Sequence, residues 1–196
     1  MKQYPLAKQG VFLTVQGEGA LLGLPMIFVR LAGCSIGCPL CDTNYKKASS
    51  ATALEITAQC RELKKSTVAS WVWITGGEPT DHDCEGLIDE LRRSFRVAMA
   101  TAGHKAVPCS WRVDFLSVSP HDPREWVQKV GSELKLVPGL NSFGLSDFNL
   151  VGARFDHQFV SPCDGKPETV SECQAWVNAR PGWRMTPQAH KQWEIA

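Results

Sequence analysis

The 196-residue sequence lacks any apolar run approaching the roughly 20 residues that a bilayer-spanning helix requires. It lacks an excess of charge of either sign. Its 21 Lys and Arg stand against 20 Asp and Glu, so no basic field points to nucleic acid and no charge imbalance points to a membrane surface. The opening "MKQYPLAKQG" has neither a long apolar stretch nor the small-residue cleavage pattern of a secretory signal, so a cytoplasmic protein is expected. Internal repeats, low-complexity runs and long linkers are missing too. The length fits one domain, 1–196, with a real core.

Cysteine is not scarce: there are eight. Five stand singly, at Cys60, Cys84, Cys109, Cys163 and Cys173, and read as small buried hydrophobes or incidental thiols. The other three crowd into "GCSIGCPLC" as Cys34, Cys38 and Cys41. In a reducing compartment such spacing points to metal rather than to disulfides.

Six short apolar runs read as strands: 26–33, 71–77, 96–101, 114–119, 133–137 and 155–160. They are apolar on both faces, as in a parallel sheet covered by helices. Three helices are expected between them. One covers 53–65 behind a Thr52/Glu55 capping box. A second covers 83–94, starting at Asp83, with Leu87, Ile88 and Leu91 on one stripe. A third covers 167–179, with Val170, Cys173 and Val177 on one face. The alternation gives an α/β domain with a mainly parallel sheet. It is too short for a full eight-unit barrel of about 250 residues, so the fold expected is a partial, open β/α barrel. In such sheets ligands gather at the C-terminal strand ends. "GCSIGCPLC", "TGGEPT", "SVSP" and "FVSPCDG" all follow strands at that rim.

The three thiolates are soft ligands suited to zinc or to iron–sulfur clusters. Zinc would need a fourth donor, and no fourth Cys or His lies nearby in the sequence; Cys163 or a distant histidine remains an alternative, and a Cys38/Cys41 redox pair would leave the third cysteine idle. Three thiolates on a four-iron cubane would leave one iron open to a substrate.

The C-x3-C-x2-C after the first strand, followed by "TGGEP" (75–79) after the second, resembles the radical S-adenosylmethionine superfamily. Four further segments narrow the likeness: "FLTVQGEG", Arg30 ahead of the cysteines, "CDT" after them, and the C-terminal "WRMTPQAHKQWEIA" with Gln188, His190 and Lys191. In this order they resemble the 7-carboxy-7-deazaguanine synthase family. The resemblance implies a single radical S-adenosylmethionine domain, a substrate-binding N-terminal hairpin and a C-terminal tail that enters the active site. The implied reaction contracts the ring of 6-carboxy-5,6,7,8-tetrahydropterin to 7-carboxy-7-deazaguanine, with loss of ammonia.

The resemblance also assigns roles. Cys34, Cys38 and Cys41 would hold a [4Fe-4S] cluster, and Thr43 a Mg²⁺ ion. S-adenosylmethionine would lie against Leu40, Cys41, Asp42, Gly76, Gly77, Glu78, Ser119, Pro120, His121, Ser161 and Asp164, with Glu78 pairing its ammonium. The pterin would lie against Val15, Gln16, Gly17, Arg30, Thr75 and the terminal carboxylate of Ala196, with Glu18, Arg30 and His190 as catalytic groups. A flavodoxin- or ferredoxin-type reductant and a homodimer are implied; no nucleic-acid or membrane partner is. Three segments depart from the family pattern: "SPH" for SPK, "ATAGH" for E-T-(N/S)-G-T, and "VSP" for LQP. All three lie on the cosubstrate side, so weaker or rearranged cosubstrate binding is expected, without loss of chemistry. A glycyl-radical activase, a zinc-stabilised nucleic-acid module and an impaired homologue with a binding role are the alternatives.

Overall fold

The computed structural model describes residues 1–39, 41 and 44–195. The chain opens with a long strand β1 (Gln3–Val15) that turns back into β2 (Pro25–Leu31), and the two pair antiparallel from Leu6–Leu31 to Val15–Pro25. After the cysteine segment a short β3 (Ser49–Thr52) pairs antiparallel with the start of β1. Helix α1 (Ala53–Lys64) follows at once. Thr52 is its N-cap: its hydroxyl accepts from the Glu55 amide, and the Glu55 carboxylate accepts from the Thr52 amide, the reciprocal box expected from sequence.

From there the chain alternates: β4 (Trp71–Gly76), α2 (Glu85–Arg92), β5 (Arg96–Thr101), β6 (Phe115–Val118), β7 (Val130–Leu136), β8 (Arg154–Val160), α3 (Pro167–Asn178), β9 (Trp183–Met185) and the single-turn α4 (Ala189–Gln192). Among the described residues nine strands form one sheet in the order β3-β1-β2-β4-β5-β6-β7-β8-β9, and every pair from β2 onward is parallel. The sheet keeps two edges, β3 and β9, so it is the open barrel expected.

Two cores cover its outer face. Ile56 and Cys60 of α1 and Leu87, Ile88 and Leu91 of α2 pack on Ile27, Val29, Leu31, Val72, Ile74 and Val97. Cys173 and Trp176 of α3 pack on Val118, Leu134, Leu136, Val160 and Trp183. Burial of these side chains, at roughly 25 cal/mol per Å² of apolar surface, is the main term holding helices to sheet.

Three details differ from the sequence expectation. Helix α2 begins two residues late because Asp83 instead pairs with Lys2 at 2.8 Å and accepts from the Glu85 amide. In α3 the buried stripe is Thr169, Cys173 and Trp176, while Val170 faces out. Of the five single cysteines, Cys109 is exposed and the other four are buried.

Candidate functional site

At the C-terminal ends of the parallel strands lies a cavity of about 580 Å³. The loop after β2 brings Cys34, Cys38 and Cys41 to its wall, and the loop after β4 brings Gly76, Gly77 and Glu78. The two loops are stitched together by backbone: the Gly77 amide donates to the Leu31 carbonyl at 2.9 Å, and the Glu78 amide to the Gly33 carbonyl at 3.0 Å. This close approach explains the paired glycines. A Cβ on Gly77 would stand 1.6 Å from the Gly33 carbonyl oxygen. One on Gly76, whose φ is +124°, would stand 2.0 Å from the Leu31 oxygen. Replacing Gly77 by Ala is therefore expected to force the two loops apart and to cost more than about 3 kcal/mol of folding stability, read from the denaturant midpoint. An unchanged midpoint would refute it.

The cysteine loop is clamped a second time. Asp81 accepts from the Ser35 amide at 2.7 Å, from the Ser35 hydroxyl at 2.8 Å and from Lys105 at 2.5 Å, with His104 Nε2 at 3.5 Å. Burial works against the Asp81 charge, but the hydrogen bonds from Lys105 and Ser35 outweigh it and hold the carboxyl below its ordinary value.

Cys38 is the most constrained thiol of the three. Burial first, then the neighbouring Cys34 and Cys41, push it up to about 11 against a hydrogen bond from Asn141. His121 Nδ1 stands 2.7 Å from its sulfur. Three thiols gathered on one wall are the donor set an iron–sulfur cluster would take as thiolates, one on each of three irons with the fourth left open. The residues present fit such a group.

Glu78 is 1 % exposed, and its carboxylate is already occupied. Oε1 accepts from the Thr80 amide (2.9 Å), the Thr80 hydroxyl (2.8 Å) and the Thr101 hydroxyl (2.7 Å); Oε2 accepts from the Ala102 amide (2.8 Å). The side chain expected to pair with a ligand ammonium thus braces the strand ends from within. The "ATAGH" segment supplies two of its donors, so the alanine at 102 gives up no contact to Glu78: its backbone makes it.

Another part of the lining is built from the two chain ends. The β1–β2 turn carries Val15, Gln16, Gly17 and Glu18, and α4 docks on it: the Ala189 amide donates to the Gly17 carbonyl at 2.9 Å. A Cβ on Gly17 would meet His190 Nδ1 at 2.6 Å, so this glycine makes room for that histidine. Arg30 reaches the same wall, donating to Gln9 at 3.1 Å with its guanidinium over the Phe12 ring. Thr75, Ser119, His121 and Asp164 complete the set that the fold gathers, with Asp164 paired to Lys191.

Two expected residues are not on the wall. Pro120 is buried. Ser161 is 1 % exposed because its amide continues the sheet, donating to the Leu136 carbonyl at 2.9 Å; its hydroxyl has no hydrogen-bond partner among the described residues. Leu40, Asp42, Thr43 and Ala196 lie outside the described residues.

The wall also holds residues the sequence reading passed over: Ser117, Glu133 and Lys135. Glu133 accepts from the Ala20 amide at 2.6 Å and the Ser117 hydroxyl at 2.7 Å, and burial raises its carboxyl above the ordinary range. Their signal was present. "ELKLV" puts charges at alternate positions of a strand otherwise apolar, and alternation sends Glu133, Lys135 and Val137 to the cavity and Leu134 and Leu136 to the core.

No protein-family model matches the chain. Whole-length relatives do. It is 32% identical to 7-carboxy-7-deazaguanine synthase of Bradyrhizobium diazoefficiens, covering 94% of this chain and 96% of that protein. It is 30% identical to the enzyme of the same name from Escherichia coli, covering 99% and 100%. The crystal structure of QueE from Escherichia coli superposes with a TM-score of 0.75 at 26% identity, over 96% of this chain and 95% of that one. The likeness spans both walls of the cavity and the sheet between them, and the chain belongs to the 7-carboxy-7-deazaguanine synthase family.

Proposed function

We propose that this protein converts 6-carboxy-5,6,7,8-tetrahydropterin to 7-carboxy-7-deazaguanine with loss of ammonia, in deazapurine biosynthesis of the queuosine type. One observation carries the reading: Cys34, Cys38 and Cys41 line the same cavity as Gln16, Arg30, Thr75 and His190 in a chain of this family. Cys34, Cys38 and Cys41 would hold a [4Fe-4S] cluster which, with S-adenosylmethionine, supplies a carbon radical able to take hydrogen from an inert position.

The protein's own residues bind, orient and shield. Backbone at Gly76 and Gly77 lets the cosubstrate approach closely, and Glu78 braces the strand ends beside it through Thr80, Thr101 and Ala102. Ser119, His121 and Asp164 line its side, joined by Leu40 and Asp42 from the cysteine segment. Gln16 and the Val15–Gly17 backbone read the donor/acceptor edge of the pterin. Arg30 holds its carboxylate as a planar fork. Thr75, His190 and the Ala196 carboxylate complete the contacts, and Thr43 supplies a hard oxygen to Mg²⁺. A homodimer reduced by a flavodoxin- or ferredoxin-type protein is part of the same proposal. No helix among the described residues is long and apolar enough to cross a membrane.

The test is an anaerobic assay with the carboxylated tetrahydropterin, S-adenosylmethionine, magnesium and dithionite. Brown protein that yields product and ammonia in equal amounts is expected. Brown protein that cleaves the cosubstrate but leaves the pterin untouched would overturn the substrate assignment; failure to cleave it even with pterin present would overturn the enzyme assignment.

A further inference from the structure

Lys135 is a cation on the cavity wall to which neither the resemblance nor the roles above give a task. Strand alternation aims it inward, and its ammonium contacts the Glu18 carboxylate. The two side chains keep only 15% and 17% of their exposure, while the other lysine nearby, Lys191, is paired to Asp164. Two groups of opposite charge, taken out of water at the wall of a reaction cavity, cost desolvation free energy that apolar residues of similar size would not. Burial first, then the Lys191 charge, pulls Lys135 down to about 8, while the Glu18 carboxylate in contact with it favours its protonated form. That brings a proton donor close to working pH, where general acids are most effective.

The proposed reaction contains one step with the matching need. Nitrogen leaves as ammonia, and an amine leaves poorly unless it is protonated. We propose that Lys135 protonates the departing nitrogen while Glu18 accepts the proton released by the carbon skeleton. This rests on the proposed function. The balance is complete: the carbon–nitrogen bond breaks with its electron pair going to nitrogen, which takes a proton from Nζ. The adjacent carbon–hydrogen bond gives its proton to Glu18, and its electron pair becomes the new ring double bond. Transfer of that proton from Glu18 to the neutral Lys135 amine, across their contact, resets the pair. No electrons enter or leave.

The experiment uses cluster-loaded protein and substrate carrying deuterium at C6. Lys135→Arg keeps the charge beside Glu18 but does not give up a proton, and Lys135→Ala removes both functions. Both are expected to transfer deuterium to the cosubstrate within about threefold of the wild-type rate. Both should release ammonia and product at least about a hundredfold more slowly. A compound isomeric with the substrate, contracted but still carrying its nitrogen, should accumulate, and added ethylamine should restore ammonia release to the Ala variant. If the Arg variant releases ammonia at the wild-type rate, Lys135 is only a counter-ion and the inference fails. If deuterium transfer and ammonia release fall together, the pair serves binding and the inference fails equally. Should a single variant not fold, the Glu18→Gln/Lys135→Met double variant, with no unpaired charge, decides by the same two rates. A wild-type protein that makes no product would count against the proposed function instead.

Discussion

Cys38→Ala protein, purified and reconstituted without oxygen, is expected to hold less than about a tenth of the wild-type iron and sulfide and to lose turnover by at least about a thousandfold. Cys38 is the right thiol to remove because it sits at the centre of the set. Cys34 and Cys41 both act on it, Asn141 hydrogen-bonds to it, and His121 lies 2.7 Å from its sulfur. Two remaining thiolates would leave two irons of a cubane open, and such a cluster is lost to solvent readily. The fold should survive, since the loop is held independently by Asp81 through Ser35 and by the Gly33–Glu78 backbone bond. A variant that keeps wild-type colour, iron and sulfide would show that the cavity does not hold its metal through this wall. One that binds a single zinc in place of iron would bring back the zinc alternative.

The same residues show how far the sequence was readable. Six of the parallel strands and three helices were legible because each is a short apolar run or a capped amphipathic stretch, and Thr52/Glu55 behaves as its spacing says. Strand β1 was not. Pro5 and the polar "AKQG" interrupt its alternation, and the structure accommodates them with a register shift between Leu6 and Val11. Strand β9, only three residues long, has no periodicity to read. At the site, motif residues were found because several chemistry-bearing residues recur in a fixed order. Glu133, Lys135 and Asn141 were not, because a single polar residue in a strand or loop has meaning only once topology shows what it faces. The departures from the family pattern also change meaning in three dimensions. His121 lies against a cysteine sulfur, and the backbone of Ala102 does what a polar side chain there was not needed for.

Glu78→Ala is expected to lower stability before it lowers anything else. The substitution leaves four donors without their acceptor, two of them buried and two part-buried. The hydroxyls of Thr80 and Thr101 can rotate toward other acceptors. The amides of Thr80 and Ala102 cannot turn away without moving backbone. Each buried donor left unsatisfied costs roughly 1–3 kcal/mol, so the two together cost about 2–6 kcal/mol. For a domain of this size that is a fall of about 10 °C in Tm, measurable on protein without its cluster. Glu78→Gln discriminates further. Its amide oxygen can serve the three Oε1 donors, but its NH2 group then faces the Ala102 N–H, donor against donor. It is expected to lose less stability than Ala and still to bind cosubstrate poorly, because the strand end after β5 must shift to relieve that contact. If Glu78 instead acts mainly as a ligand for the cosubstrate ammonium, both variants will melt with the wild type and differ only in cosubstrate affinity. Equal melting temperatures would therefore refute the bracing role drawn from the four hydrogen bonds.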